Sequence, residues 1–568
     1  MESGELAVRY LVGIVSLWLF LGTTYYVKKG GSDGNSGTDL GNAWLTVNHD
    51  LEPGDTVLVY DDGGALTDPW TFHSGSDGAY GNPIVYMAGP GEDPYFSLDL
   101  TTHAINGNGK DHWVIQDIDA HTVDMFFNGN VAQYLDVTIQ QCSVYNAGNH
   151  PVVQFGQEVL RGTFRYNWID RADTAGKSGV EAGNGDIFTF WANADSILIE
   201  YNHLTRCNHQ PVNLYTNPDY FIIRHNEGPY SHTLIGGINE RGRMGLIEFN
   251  FGHHPGSYLN DGVFTQAMGL FPSASNVLII RGETLRDDTV NTSNTQEGLV
   301  NLLVEDENQD SLEAWVSGVR MSYCTIDGTN DASYNKDIVN IVNQSYAKSH
   351  ANNKNDNNAF FNNIFINPSN NHYVFRDRDE QETDNNWFNN QYRNNLLHKA
   401  NSNATMWSIE NGPGGATYTV STMESTFPTL CSGNKDTLAG LADPANYDFT
   451  PDTASWAAGN ARYLTTATEG DVSSSVMQVA DAKWFCDGWG MIQGDSIYFN
   501  GTARGIVNVN YSTNMLTLSA VATWSTNEQI WYFKDGIVWD DVGAVQLTEE
   551  SEEPPLPVPP KRWAPIRW

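Results

Sequence analysis

The chain is short of basic residues: 30 Lys and Arg stand against 68 Asp and Glu in 568 residues, a net charge of −38. That excludes a nucleic-acid binder, because phosphate recognition needs a concentrated basic surface. Charged residues of both signs reach only 17%, against 40% hydrophobic and 12% aromatic. The acidity therefore comes from missing Lys and Arg and not from an acidic disordered chain. Cysteine is scarce as well. Cys142, Cys207, Cys324, Cys431 and Cys486 are odd in number, widely spaced and without a CxxC pair, which argues against a disulfide framework and a zinc site. No metal-ligating set is read from the cysteines. The apolar run Leu11 to Gly22 has 12 residues, short of the roughly 20 a membrane span needs. It has the core length of a secretory signal, but Glu2 and Glu5 precede it and no small-residue cleavage site follows. Residues 1–24 are read either as a signal or as an uncleaved anchoring arm.

Helical periodicity is nearly absent. What is present is a series of short β-branched and aromatic strands broken by Gly, Asn, Asp and Pro. One phrase recurs: Phe164-Arg165-Tyr166-Asn167, Ile199-Glu200-Tyr201-Asn202, Ile223-Arg224-His225-Asn226 and Ile247-Glu248-Phe249-Asn250, the last three 24 residues apart. A second strand family fills the gaps, at Ile187 to Phe190, Val212 to Tyr215, Leu234 to Ile238 and Val263 to Gln266. Short strands at such a period are the signature of a solenoid. Strand alternation predicts that Tyr166, Tyr201, His225 and Phe249 face the lumen as a ring stack. It turns Arg165, Glu200, Arg224, Glu248 and Arg281 outward as a structural ladder of alternating charge. The asparagines at the strand ends are predicted to stack as a turn device. From about Val472 the pattern changes to compact hairpins.

The opening resembles right-handed parallel β-helix proteins of the kind found among extracellular polysaccharide lyases and phage tailspikes. The resemblance lies in Tyr25-Tyr26-Val27, Gly31-Ser32-Asp33-Gly34-Asn35-Ser36-Gly37, Ala43-Trp44, Pro53-Gly54-Asp55-Thr56-Val57, Gly81-Asn82-Pro83-Ile84 and the closing Trp539-Asp540-Asp541-Val542-Gly543-Ala544. It implies an all-β fold: a right-handed parallel β-helix over 25–460, a small C-terminal β-domain over 461–546 and an acidic, Pro-rich, Trp-bearing tail over 547–568. The tail is read as either disordered or a docking arm. The lyase branch implies calcium as the one cofactor to expect, with a lysine base and an Arg-His-Gly segment. Here Ser178-Gly179-Val180-Glu181 and Arg224-His225-Asn226 are partial matches. Asn226 stands in the glycine's place, and Lys177 is the only lysine between Lys110 and Lys336, which does not support Lys/Arg β-elimination.

Six of the fifteen histidines, His203, His209, His225, His232, His253 and His254, fall within one window where Lys and Arg balance Asp and Glu. Just before the second strand family stand Asp186, His209, His232 and Asp261, predicted to form a row on one edge of successive coils. With Glu181 they are the candidate catalytic groups for acid/base chemistry on a sugar. Arg206, Arg241, His253 and His254 are the candidate substrate-binding residues. The expected partner is a polysaccharide. The expected setting is extracellular or on a virion surface, in a homo-oligomer or larger assembly held through the N-terminal arm and the C-terminal tail. A secreted polysaccharide lyase or glycoside hydrolase, and a purely structural capsid or tail decoration protein, are the alternatives. An acidic exterior would repel a polyuronate except in the balanced window.

Overall fold

In the computed structural model, residues 22–546 are described except 149, 171–184, 208–209, 216–217, 230–232, 239–242, 254–260, 266–276, 287–297, 305–314, 329–336, 344–353, 368–371, 380–388, 400–403 and 410–415. Most of the arm over 1–24 and all of the tail over 547–568 lie outside them.

Among the described residues the solenoid has three sheets of fourteen, twelve and thirteen strands. Each strand pairs with its equivalent in the next coil, and the pairing is parallel throughout except where Ala416–Tyr418 closes the third sheet antiparallel. The chain is a right-handed parallel β-helix followed by a small antiparallel β-domain, the hand being that of crossovers between parallel twisted strands. One coil runs from Val159–Arg165 in the first sheet to Trp168–Asp170 in the second and Phe188–Phe190 in the third, then returns to the first at Ala194–Glu200. Each coil thus carries three strands where the sequence showed two.

Register explains the core. Ile139, Phe164, Ile199, Ile223, Ile247, Ile280, Met321, Phe360 and Tyr392 are successive partners in the first sheet. All are buried in the lumen. Where the first sheet turns into the second, Tyr166, Tyr201, His225 and Phe249 adopt φ of 57°, 55°, 51° and 54°. That left-handed corner reverses the alternation. The rings do stack, at centroid distances of 5.2, 4.8 and 5.3 Å, but outside the lumen, with Tyr166 39% exposed. The predicted inward stack is therefore corrected: a helix-corner residue at positive φ does not follow strand parity.

The following asparagine points inward instead. Asn202 Oδ1 accepts from Asn167 N at 3.0 Å, Asn226 Oδ1 from Asn202 N at 3.0 Å and Asn250 Oδ1 from Asn226 N at 2.9 Å. Glu283 takes the next place, its Oε1 accepting from Asn250 N and Nδ2. Burial pushes the Glu283 carboxyl up to about 8 against the pull of the Asn250 bonds. Asn363, Asn395 and Asn434 continue the ladder, and Glu424 on the short helix Val420–Thr426 ends it by accepting from Asn434. All five cysteines are buried free thiols.

The C-terminal sheet lies on the outer face of the first sheet. Leu198, Ile222, Leu246 and Ile279 share one buried cluster with Trp484, Phe485, Ile497, Leu518 and Trp539. In earlier coils the same outward column reads Thr138 and Thr163. The change from threonine to aliphatic residues marks where the cover begins. The charge ladder runs beneath it: Arg224 bridges to Glu200 at 2.7 Å, Arg281 to Glu248 at 2.7 Å, and Arg281 binds Asp495 through Nη1 at 2.7 Å. Arg281 also lies 4.4 Å from the Tyr532 ring centroid. Arg320 adds a 2.7 Å contact to Asp481, and Gly543 N donates to Asn362 O.

Candidate functional site

The second sheet carries the densest group of titratable and aromatic side chains. Its strands are two to four residues long, and several begin immediately after the ladder position, as in Trp168–Asp170, His203–Thr205, Glu227–Pro229 and Phe251–His253. The middle residue of each points into the lumen, as Ile169 and Leu204 do. The outer two therefore face away from the core. Register aligns Tyr95, Asp119, Ser143, Trp168, His203, Glu227 and Phe251 in one outward row. Six coil steps separate its ends, about 29 Å at roughly 4.8 Å per step. A second outward row places Asp170 beside Tyr145 and His253 beside Pro229.

Glu227 is the centre of this face. His203 Nδ1 donates to Oε2 at 2.6 Å and His253 Nε2 to Oε1 at 2.8 Å. Burial alone would raise its carboxyl, but the two imidazoles draw it down to about 2. The carboxylate is charged throughout the neutral range and orients both rings. His203 also stacks on Trp168 at a 3.7 Å centroid distance, and His253 lies 5.1 Å from the Tyr447 ring. Tyr447 belongs to the turn between Leu441–Asp443 and Asp448–Pro451, a hairpin that walls this end of the row and holds Arg286 4.9 Å from the Tyr447 centroid. Three residues after His203, Arg206 grips Asp170 of the preceding coil, with 46% of the arginine side chain exposed. At the other end, Tyr95 stacks on His121 at 4.0 Å. Asp119 is buried, which raises its carboxyl. The bond from Ser143 N at 2.7 Å opposes this, and the nearby charges of Asp93 and Asp117 add to it, leaving it at about 7.

The sequence-predicted residues are only partly gathered here. Arg206 and His253 lie on this face. Asp186 does not: it is fully buried where the coil enters the third sheet, its Oδ1 accepting from Gln210 N at 3.0 Å and its Oδ2 from Thr189 Oγ1 and Asn213 Nδ2, both at 2.8 Å, on the side opposite the lumenal Phe188, Phe190, Val212 and Leu214. It ties one coil to the next. His209, His232, Glu181, Arg241 and His254 lie outside the described residues. Asp261 is placed only by its backbone, opposite Thr233. His203 and Glu227 were not assigned as site residues because the second sheet was not recognised as a strand family. The signal available was the apolar residue two positions after Asn167, Asn202, Asn363 and Asn395, namely Ile169, Leu204, Phe365 and Leu397.

No protein-family model matches the chain, and no curated protein matches it. Solved structures similar to it include an alginate lyase of polysaccharide lyase family 6, 13% identical with a TM-score of 0.38, over 69% of this chain and 58% of that one. A pectate lyase is 12% identical with a TM-score of 0.34, over 80% of this chain and 94% of that one. A family 6 polysaccharide lyase from Pseudopedobacter saltans is 12% identical with a TM-score of 0.33, over 70% of this chain and 91% of that one. The match spans less than two thirds of the alginate lyase's length. Likeness at this level reaches neither substrate nor mechanism. Among the described residues no helix is long and apolar enough to cross a membrane.

Proposed function

We propose that the protein is a surface-exposed β-helix that binds a polysaccharide along the outer face of its second sheet. The observation that supports this reading is the outward row itself, in which part-exposed aromatic rings alternate with paired hydrogen-bonding groups over about 29 Å. Sugars offer C–H faces to aromatic rings and hydroxyls to such groups. Two imidazoles accompany Glu227 and Arg206 accompanies Asp170, so this strip is locally balanced within a chain of charge −38. The acidic remainder of the molecule favours a neutral or weakly charged glycan over a polyuronate long enough to run beyond this strip. Affinity electrophoresis against neutral and uronate polysaccharides tests it: Trp168→Ala and Glu227→Ala are expected to weaken retention at least tenfold, and unchanged retention in both overturns the reading.

Asp119 favours a second, hydrolytic reading, since a carboxyl held at about 7 on the same row is suited to proton donation. Asp119→Asn is then expected to abolish release of reducing ends while leaving glycan retention intact; no release by the unaltered chain from a glycan it binds overturns it. We also assign residues 1–24 and 547–568 to attachment within a spike-like or fibre-like assembly. Light scattering on the full chain is expected to show an oligomer that deletion of 547–568 dissociates, and a monomeric full chain removes this assignment.

A further inference from the structure

Far from the second-sheet row, a different group of side chains converges at the edge where the coil enters the third sheet. The strands Ile105–Asn106, Phe127–Gly129 and Val153–Phe155 stack in register, with Ile105, Phe127 and Val153 as successive partners. His103 stands two residues before the first strand, Asp124 three before the second and His150 three before the third. Three successive coils thus each deliver one side chain to the same place.

Asp124 Oδ2 lies 3.3 Å from His103 Nε2 and 2.8 Å from His150 Nδ1. One donor atom from each of the three residues lies within 4.8 Å of the others. Donors bound at about 2.0–2.2 Å around a tetrahedral ion sit about 3.3 Å apart, so small side-chain movements suffice to close the set. The carboxylate side chain is 5% exposed and the His150 side chain 52% exposed, which buries the anionic ligand and leaves one side open to solvent. A buried carboxylate needs a cationic partner, and among the described residues no lysine or arginine bridges to Asp124.

The surroundings hold the ligands in place. Asn128 Nδ2 lies 2.9 Å from His103 Nδ1, which fixes the ring plane with Nε2 turned to the carboxylate. A metal on Nε2 puts the ring proton on Nδ1, and a half-turn of the Asn128 carboxamide then presents an oxygen to accept it. Gly148 packs directly on the carboxylate: a Cβ there would meet Asp124 Oδ1 at 2.4 Å and Asp124 Cα at 2.9 Å. Any side chain at 148 would displace the ligand.

We propose that His103, Asp124 and His150 form a binding site for a divalent transition-metal ion, with coordination positions left open on the solvent side. Two imidazole nitrogens and one carboxylate suit zinc, cobalt, nickel, manganese or iron. Calcium and magnesium prefer oxygen donors. The site does not depend on the glycan reading, because it shares no residue with the second-sheet row.

Isothermal titration of the full chain with Zn²⁺, and visible absorption with Co²⁺ as a probe of coordination, test it. One equivalent is expected to bind, with a Co²⁺ d–d spectrum. Asp124→Asn and His150→Ala are each expected to weaken binding at least tenfold and to remove the spectrum. His150 is exposed, so its variant keeps the fold, and an unchanged thermal transition verifies this. His203→Ala is expected to leave stoichiometry and spectrum as they were. Failure to bind Zn²⁺ or Co²⁺ overturns the proposal, as does binding that survives His150→Ala or is lost only with His203→Ala. A tenfold excess of Ca²⁺ that displaces the Co²⁺ spectrum overturns the choice of metal class.

Discussion

On the outer face of the first sheet, Arg281 is 1% exposed between Glu248 and Asp495. On the outer face of the second, Arg206 grips Asp170 with 46% of its side chain in solvent. Both faces use side chains from successive coils to pair opposite charges across the stack. They differ in what lies above them. The C-terminal sheet seals the first face with aliphatic contacts, and its own Asp495 completes the ladder. On the second face, the hairpin that bears Tyr447 walls the row at the His253 end. Tyr95, Tyr145 and Trp168 remain part-exposed further along. The same pairing chemistry therefore serves cohesion where it is buried and recognition where it is reachable. Burial, not residue type, decides which.

The sharpest break in that comparison is removal of one charge from the sealed face. Arg281→Ala leaves Glu248 and Asp495 buried without their partner, and a loss of about 3–5 kcal/mol in chemical denaturation is expected. Next comes the ladder inside the corner. Asn226→Ala leaves Asn202 N without its acceptor at 3.0 Å, and an expected cost of about 1–3 kcal/mol follows from an unpaired buried group.

Glu283 gives a pH-dependent effect. Its carboxyl is raised to about 8 in the fold, against about 4.3 in an unfolded chain. The protonated form is the one the fold favours, so its contribution is complete below about pH 4.3 and is lost as pH rises through about 8. Glu283→Gln should flatten that slope, visible as a higher melting temperature than the parent above pH 8 and little difference at pH 4. The smallest effect belongs to the open face: Arg206→Ala is expected to cost under about 1 kcal/mol, since an exposed pair contributes little. A cost equal to that of Arg281→Ala would erase the distinction between the two faces.

The solenoid was legible because its ladder asparagines recur at 24 residues and sit at a corner only a few residue types tolerate. The charge ladder was legible for the same reason. Face assignment failed at Tyr166, Tyr201, His225 and Phe249 because alternation holds only while the backbone stays extended, and each of these residues has a positive φ. The burial of Asp186 was not legible because a polar residue before a strand reads alike whether it faces solvent or bonds to Thr189 and Asn213. His203 and Glu227 were not joined into one site because a three-residue strand has too little length to show a period. His103, Asp124 and His150 stand in coils ahead of the regular asparagine repeat, where Cys142 occupies the ladder position, so no spacing rule linked them.

The contact between Arg281 and Asp495 joins residues 214 apart in the chain. A stack of coils in which each touches only its neighbours comes apart from its ends, one unit at a time. Here the C-terminal β-domain reaches back and clasps the coils from Leu198 to Leu396. Fraying at the C-terminal end of the stack must therefore break that clasp first. The clasped coils and the small domain are bound to melt together as one cooperative block, while the coils ahead of Leu198 retain the graded, unit-by-unit unfolding of a simple repeat.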